Sequence, residues 1–159
     1  RPKNRTTVKG REAHHADMMV QKAQRVAGWM EEKLGVKFYM ENPVGMLAMQ
    51  DYQIRWVEQK DVVQWEVHYC SYGHWYMKPT HIWTNIWNWI PSGITQDGRC
   101  GQHRETCVWG EESQETGRWE HLYKLGEQSG QARGGQGRKA MKTMMPVALH
   151  AELLIAALS

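Results

Sequence analysis

Phenylalanine is nearly absent from this chain of 159 residues, which has one Phe beside nine Trp and ten Met. Its bulky apolar side chains therefore suit interfaces and stacking as well as a core. The three cysteines are an odd number and indicate a reducing, intracellular compartment rather than a disulfide framework. The longest apolar run, residues 151–158, is interrupted by Glu152 and is far too short to span a bilayer, so we expect no membrane insertion.

Charge of one sign does not dominate the composition. The net charge is +3, with 41% hydrophobic and 23% charged residues, as in folded globular chains. The basic residues nevertheless cluster, within residues 1–11 and again within residues 133–142. Both clusters suit contacts with nucleic-acid phosphates, and both suit solvated tails. A simple nucleic-acid-binding module is therefore one open interpretation.

Hydrophobic periodicity first divides the chain into a basic lead-in, residues 1–12, and an α/β core part, residues 13–85. In the core part, apolar residues at three- and four-residue spacings predict a helix that ends at Gly35. The next segment, residues 36–40, has little polar alternation and predicts a buried strand in a central, parallel position. A helix followed by a buried strand favours the α/β class.

The rest of the core part predicts one or two helical turns within residues 54–60 and then two strands. Residues 62–69 alternate between apolar and polar side chains, so they predict a half-exposed strand that pairs antiparallel with residues 81–84 at the edge of a mixed sheet. Residues 86–137 hold most of the 15 glycines and several Trp, and they predict an irregular insertion. Residues 138–159 form a closing segment with a helix that begins at Pro146.

Three segments of the chain carry candidate chemistry. In FYMENPVGML, residues 38–47, Glu41 follows a buried strand directly, where α/β sheets bind ligands, although a Glu in that place also serves as a helix cap or a surface turn. The second segment is YCSYGHWYMKPTHIWTN, residues 69–85, with a Tyr-Gly turn before a basic stretch and a strand. The third is RKAMKTMMPVALHAELL, residues 138–154, in which an Arg and then a Pro precede the last helix.

Taken in order, these segments resemble three motifs of the cytosine-C5 DNA methyltransferases, in the divergent ENP form seen in some phage members. The resemblance extends over residues 38–154. It implies the latter half of a Rossmann-like methyltransferase sheet, with residues 86–137 as a reduced target-recognition region. It also implies a base-flipping enzyme that acts on DNA and uses S-adenosylmethionine.

The resemblance further implies roles for individual residues. Glu41 would hold N3 and the exocyclic amine of the flipped cytosine. Lys78 stands where the family usually has an Arg that supports the flipped base or a neighbouring phosphate. The other residues implied in base or phosphate contacts, or in shaping the acidic turn, are Asn42, Pro43, Thr80 (which departs from the family's basic residue) and Arg138.

Two parts of the family's site are missing from the sequence. There is no Gly-rich loop after a first strand to hold the cofactor, and no Pro-Cys dipeptide, whose thiolate adds to C6 of cytosine. Cys70 is interpreted as a strand-end cysteine and not as a substitute, because it follows a strand beyond Glu41. We therefore expect an N-terminal half or a second chain to supply both parts. The alternative is a catalytically inactive methyltransferase-like protein that acts as a binding or structural subunit of a larger assembly.

A weak metal-binding pattern lies within the insertion. Cys100, His103 and Cys107 form C-x2-H-x3-C, which could hold zinc if His121 or His81 supplied a fourth ligand. The spacing is loose and lacks a C-x2-C pair. The sequence therefore favours ordinary loop residues here and predicts no metal site.

Overall fold

The periodicity that begins near residue 13 does form a helix. In the computed structural model, which describes residues 8–93, 100, 107–121 and 144–159, helix α1 spans Val8–Leu34. It ends as predicted, where Gly35 takes a left-handed φ of 64° and its N–H donates to the carbonyl of Glu31 at 2.8 Å. The helix begins several residues before the predicted start, so part of the expected basic lead-in is helical.

The other elements alternate between strands and helices up to residue 84, and a hairpin and a helix follow. None of the helices in the described parts of the chain combines the length and the hydrophobicity needed to cross a membrane. In chain order the elements are β1 (Tyr39–Pro43), a 3-10 turn (Met46–Met49), α2 (Asp51–Gln59), β2 (Val63–His68), a second 3-10 turn (Tyr69–Tyr72), β3 (Pro79–Thr84), β4 (Gly110–Glu112), β5 (Trp119–His121) and α3 (Val147–Leu158).

The first three strands form one sheet in the order β1-β3-β2, and β4 and β5 form a separate two-stranded sheet. Strand β3 is antiparallel to both of its neighbours, so that Ile82 lies opposite both Glu41 and Trp65. The antiparallel pair predicted from residues 62–69 and 81–84 is therefore confirmed. A mixture of helices and strands, as the α/β class requires, is also confirmed, but the pairings within the described residues are all antiparallel. A Rossmann-like sheet stays a prediction.

The prediction for the first strand is wrong in its bounds, its pairing and its burial. The strand pairs antiparallel and is only partly buried. Strand β1 spans Tyr39–Pro43 rather than residues 36–40, so Glu41 lies within the strand and not after it. The side chain of Asn85 provides the reason: its Oδ1 accepts the N–H of Phe38 at 2.8 Å and its Nδ2 donates to the carbonyl of Val36 at 3.1 Å. These backbone groups therefore need no neighbouring strand. Pro43 is tolerated at the end of β1 because β1 is an edge strand within the described residues.

Both faces of the three-stranded sheet are covered by helices. Because side chains alternate along β3, Ile82 faces α3 and packs in one core cluster, while Trp83 faces the opposite way and packs in a second. The first cluster includes Leu149 and Leu153 of α3. The second includes Trp56 of α2. Because β3 is covered on both faces, nearly all of its side chains are buried, including the polar ones.

The region predicted as an irregular insertion is only partly irregular. Ile86 and Trp89 are buried in the α3-side core cluster, and residues 110–121 form the β4–β5 hairpin, which the sequence analysis missed. Helix α3 begins directly after Pro146, as predicted. His103, Arg138 and the predicted lead-in before residue 8 lie outside the described residues.

Candidate functional site

The carboxylate of Glu41 lies on the α3-side face of the sheet, and two donors reach the same oxygen. Tyr69 donates its hydroxyl to Glu41 Oε1 at 2.8 Å. Lys78 donates from Nζ to the same Oε1 at 2.9 Å. We call these three residues the Glu41 site. The side chain of Glu41 keeps 24% of its surface exposed, whereas that of Lys78 keeps only 8%.

The connection between β2 and β3 brings Tyr69 and Lys78 together. The N–H of Tyr69 donates to the carbonyl of Lys78 at 3.3 Å, which closes the connection at its base. Gly73 provides the turn, because its φ of 84° is open to glycine and strained for other residues. The predicted Tyr-Gly turn therefore exists, and its function is to return the chain so that Lys78 faces Glu41.

The ammonium of Lys78 is buried but well satisfied. Besides Glu41, its Nζ lies 3.3 Å from the hydroxyl of Tyr69 and 4.4 Å from the centre of the Tyr69 ring. Burial, followed by the charge of Glu41 and the hydrogen bond to it, raises the pKa of Tyr69. The phenol therefore stays protonated and acts as a donor. A buried cation with an anion, a hydroxyl and an aromatic face around it is held firmly.

The two carboxylate oxygens of Glu41 differ in their hydrogen bonds. Both hydrogen bonds reach Oε1, and Oε2 has no hydrogen-bond partner among the residues that the structure describes. A carboxylate oxygen has lone pairs for further donors, and this one belongs to a side chain that is partly open to solvent. The arrangement can therefore accept an N–H group of a ligand while Tyr69 and Lys78 fix the orientation of the carboxylate.

Asn42 and Thr80, which were also site candidates in the sequence, donate side-chain hydrogen bonds to backbone carbonyls near the Glu41 site. Asn42 Nδ2 donates to the carbonyl of Pro43 at 2.7 Å, at the end of β1. Thr80 is fully buried, and its Oγ1 donates to the carbonyl of Lys78 at 3.2 Å. Thr80 thus fixes the backbone from which Lys78 projects.

A second carboxylate, on α3, anchors the loop that follows β3. Glu152 Oε1 accepts hydrogen bonds from Trp89 Nε1 at 2.7 Å, from the N–H of Ser92 at 3.1 Å and from the Tyr72 hydroxyl at 3.3 Å. The hydroxyl of Ser92 donates to Glu152 Oε2. We call this group the Glu152 anchor. Because Tyr72 is in the turn after β2, the anchor joins the closing helix to the connection that carries Lys78.

The three cysteines of the chain converge at one point beside the Glu41 site. One ligand atom each from Cys70, Cys100, Cys107 and His121 lies within 4.8 Å of all the others. We call this group the Cys–His cluster. Cys70, Cys107 and His121 are buried, Cys100 is half-buried, and none of the cysteines forms a disulfide. Cys70 lies in the 3-10 turn after β2, close to the strand end as predicted, and it is buried within the cluster.

Three members of the Cys–His cluster were weak candidates in the sequence, which predicted no metal site there, and the fourth, Cys70, was not a candidate. Cys100 and Cys107 were in the weak zinc pattern, and His121 was one of two candidate fourth ligands. The other candidate, His81, is not part of the cluster: its Nε2 lies 3.8 Å from Glu66 Oε2.

The pKa values of the buried thiols reflect their crowding. A hydrogen bond with Cys100 and burial raise the pKa of the Cys70 thiol, and burial also raises the pKa of Cys107. Burial thus disfavours the charged thiolate form of both sulfurs.

Comparison of the chain with protein-family models, with curated proteins and with solved structures gives no match.

Proposed function

We propose that this chain is the part of a DNA cytosine-C5 methyltransferase that holds the flipped cytosine, with Glu41 as the residue that contacts the base. The observation that carries the proposal is the pairing of Glu41 with Lys78. The resemblance assigns base-holding roles to these two residues, which are 37 positions apart in the sequence, and their side chains are 2.9 Å apart. A chance similarity of short motifs would give no reason for them to meet.

The geometry of Glu41 suits the edge of a cytosine. Oε2, which has no hydrogen-bond partner among the described residues, can accept an N–H from the exocyclic amine, and the carboxyl group is also able to share a proton with N3. Addition of a nucleophile at C6 pushes electrons into the ring, and a proton or a strong hydrogen bond at N3 makes that addition easier. Tyr69 and Lys78 contribute by fixing the orientation of the carboxylate.

The proposal gives this chain only part of the reaction. S-adenosylmethionine would supply the methyl group, but the sequence has neither the Gly-rich loop nor the Pro-Cys dipeptide that the resemblance requires. We therefore assign no step that involves the cofactor or the nucleophile to these residues. Polypeptide that supplies them could add strands at the outer edge of β1, which has no strand partner among the described residues.

The test combines the chain with the upstream half of its polypeptide, or uses the full-length protein, with labelled S-adenosylmethionine and duplex DNA that contains cytosine. We expect Glu41→Gln to lower the rate of methyl transfer roughly 100-fold or more, the usual range for loss of a proton-sharing group. The matched control is Glu58→Gln, which changes an exposed glutamate of α2 in the same way. An unchanged rate in Glu41→Gln would remove the role proposed for Glu41.

The alternative function is a catalytically inactive, methyltransferase-like subunit of a larger assembly. The observation that favours it is the number of exposed apolar side chains on two helices, with Met19, Val26 and Trp29 on α1 and Ile155 and Leu158 on α3. This reading predicts association with a partner chain and no methyl transfer when the upstream polypeptide is supplied. Methyl transfer by that mixture, or affinity of the isolated chain for S-adenosylmethionine, would argue against it.

A further inference from the structure

We propose that Cys70, Cys100, Cys107 and His121 bind a zinc ion that joins the β4–β5 hairpin to the three-stranded sheet. The inference does not depend on the proposed function, because it concerns other side chains and a ligand that needs neither DNA nor a methyl donor. It rests on the convergence of the four residues, on their chemical types and on the need of the hairpin for an attachment.

The distances within the cluster suit a tetrahedral ion. Zinc bound by thiolates at about 2.3 Å in a tetrahedron keeps its sulfurs about 3.8 Å apart. All four ligand atoms already lie within 4.8 Å of one another, so small side-chain movements would complete the coordination. A disulfide would instead bond two sulfurs directly and leave the third cysteine over, and none is present.

The ligand types and their burial indicate which metal and which kind of site. Three thiolates with one imidazole are a usual set for structural zinc, and they are too soft for magnesium or calcium. Four protein ligands leave no open position for water or substrate. Cys70, Cys107 and His121 are buried. The ion would therefore stabilise the fold and take no part in a reaction.

Each ligand is delivered by a defined element of the fold. Cys70 is in the 3-10 turn that follows β2. Cys107 precedes β4, and its carbonyl accepts the N–H of Gly110 at 2.9 Å. His121 ends β5, where it lies opposite Gly110 in the hairpin register. The hairpin thus presents Cys107 and His121 together, from the same end.

The position of Cys100 is fixed by a hydrogen bond from its own backbone. Its N–H donates to Nδ1 of His68 at 2.9 Å. Because Nδ1 accepts this bond, the ring proton of His68 is on Nε2, which lies 3.1 Å from Glu66 Oε1 and donates to it. Glu66 and His68 therefore hold the backbone at Cys100 in place, in the manner of the outer partners that orient metal ligands.

The hairpin also has a physical need for the ion. Its strands are three residues each and pair only with each other among the described residues. A two-stranded hairpin of this kind is marginally stable at best in water. Zinc bound to Cys70 on one side and to Cys107 and His121 on the other would hold the hairpin against the end of β2, one residue from Tyr69 of the Glu41 site.

The test measures metal in the full chain, purified under reducing conditions. We expect one zinc ion per chain by plasma mass spectrometry, and for the cobalt-substituted protein the absorption bands of tetrahedral cobalt with thiolate ligands. Cys107→Ser and His121→Asn should weaken zinc affinity roughly 100-fold or more, at least as much as disturbing the outer partners of such sites. The control His15→Asn, on an exposed part of α1, should bind zinc as the unchanged protein does.

Three outcomes would overturn the proposal. The first is a reduced chain with three titratable thiols that binds no zinc. The second is zinc binding that Cys107→Ser and His121→Asn leave unchanged. The third is a mass lower by two hydrogens that persists under reducing conditions, which identifies a disulfide. If the variants do not fold, the metal content and the cobalt spectrum of the unchanged chain still decide.

Discussion

The three-stranded sheet and the β4–β5 hairpin lie next to each other in one chain and are stabilised in different ways. The sheet is buried on both faces, against α3 on one side and against α1 and α2 on the other. The hairpin has short strands and contributes to neither core cluster. The comparison indicates that burial alone can stabilise the first region, whereas the second depends on the Cys–His cluster and on local turn geometry.

The largest expected effect comes from emptying the core of the sheet. Trp83 is 0% exposed, while Trp87, four residues later, is 73% exposed. We expect Trp83→Ala to lower the free energy of unfolding by about 3–5 kcal/mol, and Trp87→Ala to change it by no more than about 0.5 kcal/mol. Chemical denaturation of both variants measures the difference. Equal losses in the two would mean that the core does not lie where we describe it.

The next effect separates the structural from the functional role of Glu41. Glu41→Gln leaves the buried ammonium of Lys78 without its anion, so we expect a loss of roughly 1–3 kcal/mol in the free energy of unfolding. Adding Lys78→Met should recover most of that loss, because removal of both charged partners can be nearly neutral. Denaturation curves of the two variants measure this.

In the double variant we expect stability to recover and methyl transfer to remain low. If the double variant regains both stability and activity when the upstream polypeptide is supplied, Glu41 is a structural residue only. If the double variant is no more stable than Glu41→Gln, the ion pair is not what the single substitution breaks. Glu58→Gln, on the exposed face of α2, serves as the control for both measurements.

A Gly→Ala substitution should have opposite effects on stability in the β4–β5 hairpin and in the sheet region. A Cβ at Gly110 would overlap the indole ring of Trp119 in the hairpin, whereas a Cβ at Gly28 would meet only the end of Lys60, at 3.9 Å. We expect Gly110→Ala to loosen the hairpin by about 1–3 kcal/mol, and Gly28→Ala to stabilise the sheet region by about 0.5–1 kcal/mol through α1.

Amide hydrogen exchange distinguishes the two glycine variants. In Gly110→Ala the exchange should accelerate within residues 107–121 while the protection of β3 is kept. Faster exchange throughout β3 would show that the hairpin and the sheet unfold together. A Gly28→Ala protein that is less stable than the unchanged chain would contradict the open space described beside α1.

The smallest effect concerns pH. Burial, and then the charge of Lys78, lower the pKa of His74. Its folded value lies below the unfolded value, so its contribution to stability is complete above about pH 6.5 and is lost as the pH falls through the folded value. We expect His74→Asn to reduce the loss of stability between neutral and mildly acidic pH, measured by thermal unfolding. His15→Asn, with an exposed side chain, should follow the unchanged protein, and identical slopes for all three would contradict the prediction.

The sequence predicted those elements whose formation depends on local pattern. The helix that ends at Gly35, the alternation in β2 and the final helix after Pro146 all follow from spacing and from residues with special backbone geometry. Strand β1 was misplaced because the side chain of Asn85, far along the chain, satisfies the backbone of residues 36 and 38. No local pattern carries that information.

The Glu41 site and the Cys–His cluster also differ in how much of each could be predicted from the sequence. Glu41 and Lys78 were found because motif order pointed to each of them, although only the pairing of β1, β3 and β2 explains why they meet. Cys70 was interpreted as a strand-end cysteine because it follows a strand beyond Glu41, and no local pattern connects it with Cys100, 30 positions later. The β4–β5 hairpin was missed because strands of three residues are too short to show an alternation.

The Glu152 anchor has a consequence for the order in which the molecule is assembled. Its carboxylate is in the last helix, yet it holds Tyr72, Trp89 and Ser92, which are synthesised much earlier. During synthesis the loop after β3 must therefore wait for α3 before it can be held in place, and the sheet remains uncovered on its α3 side until then. Premature termination before Glu152 would leave the chain permanently in that open state.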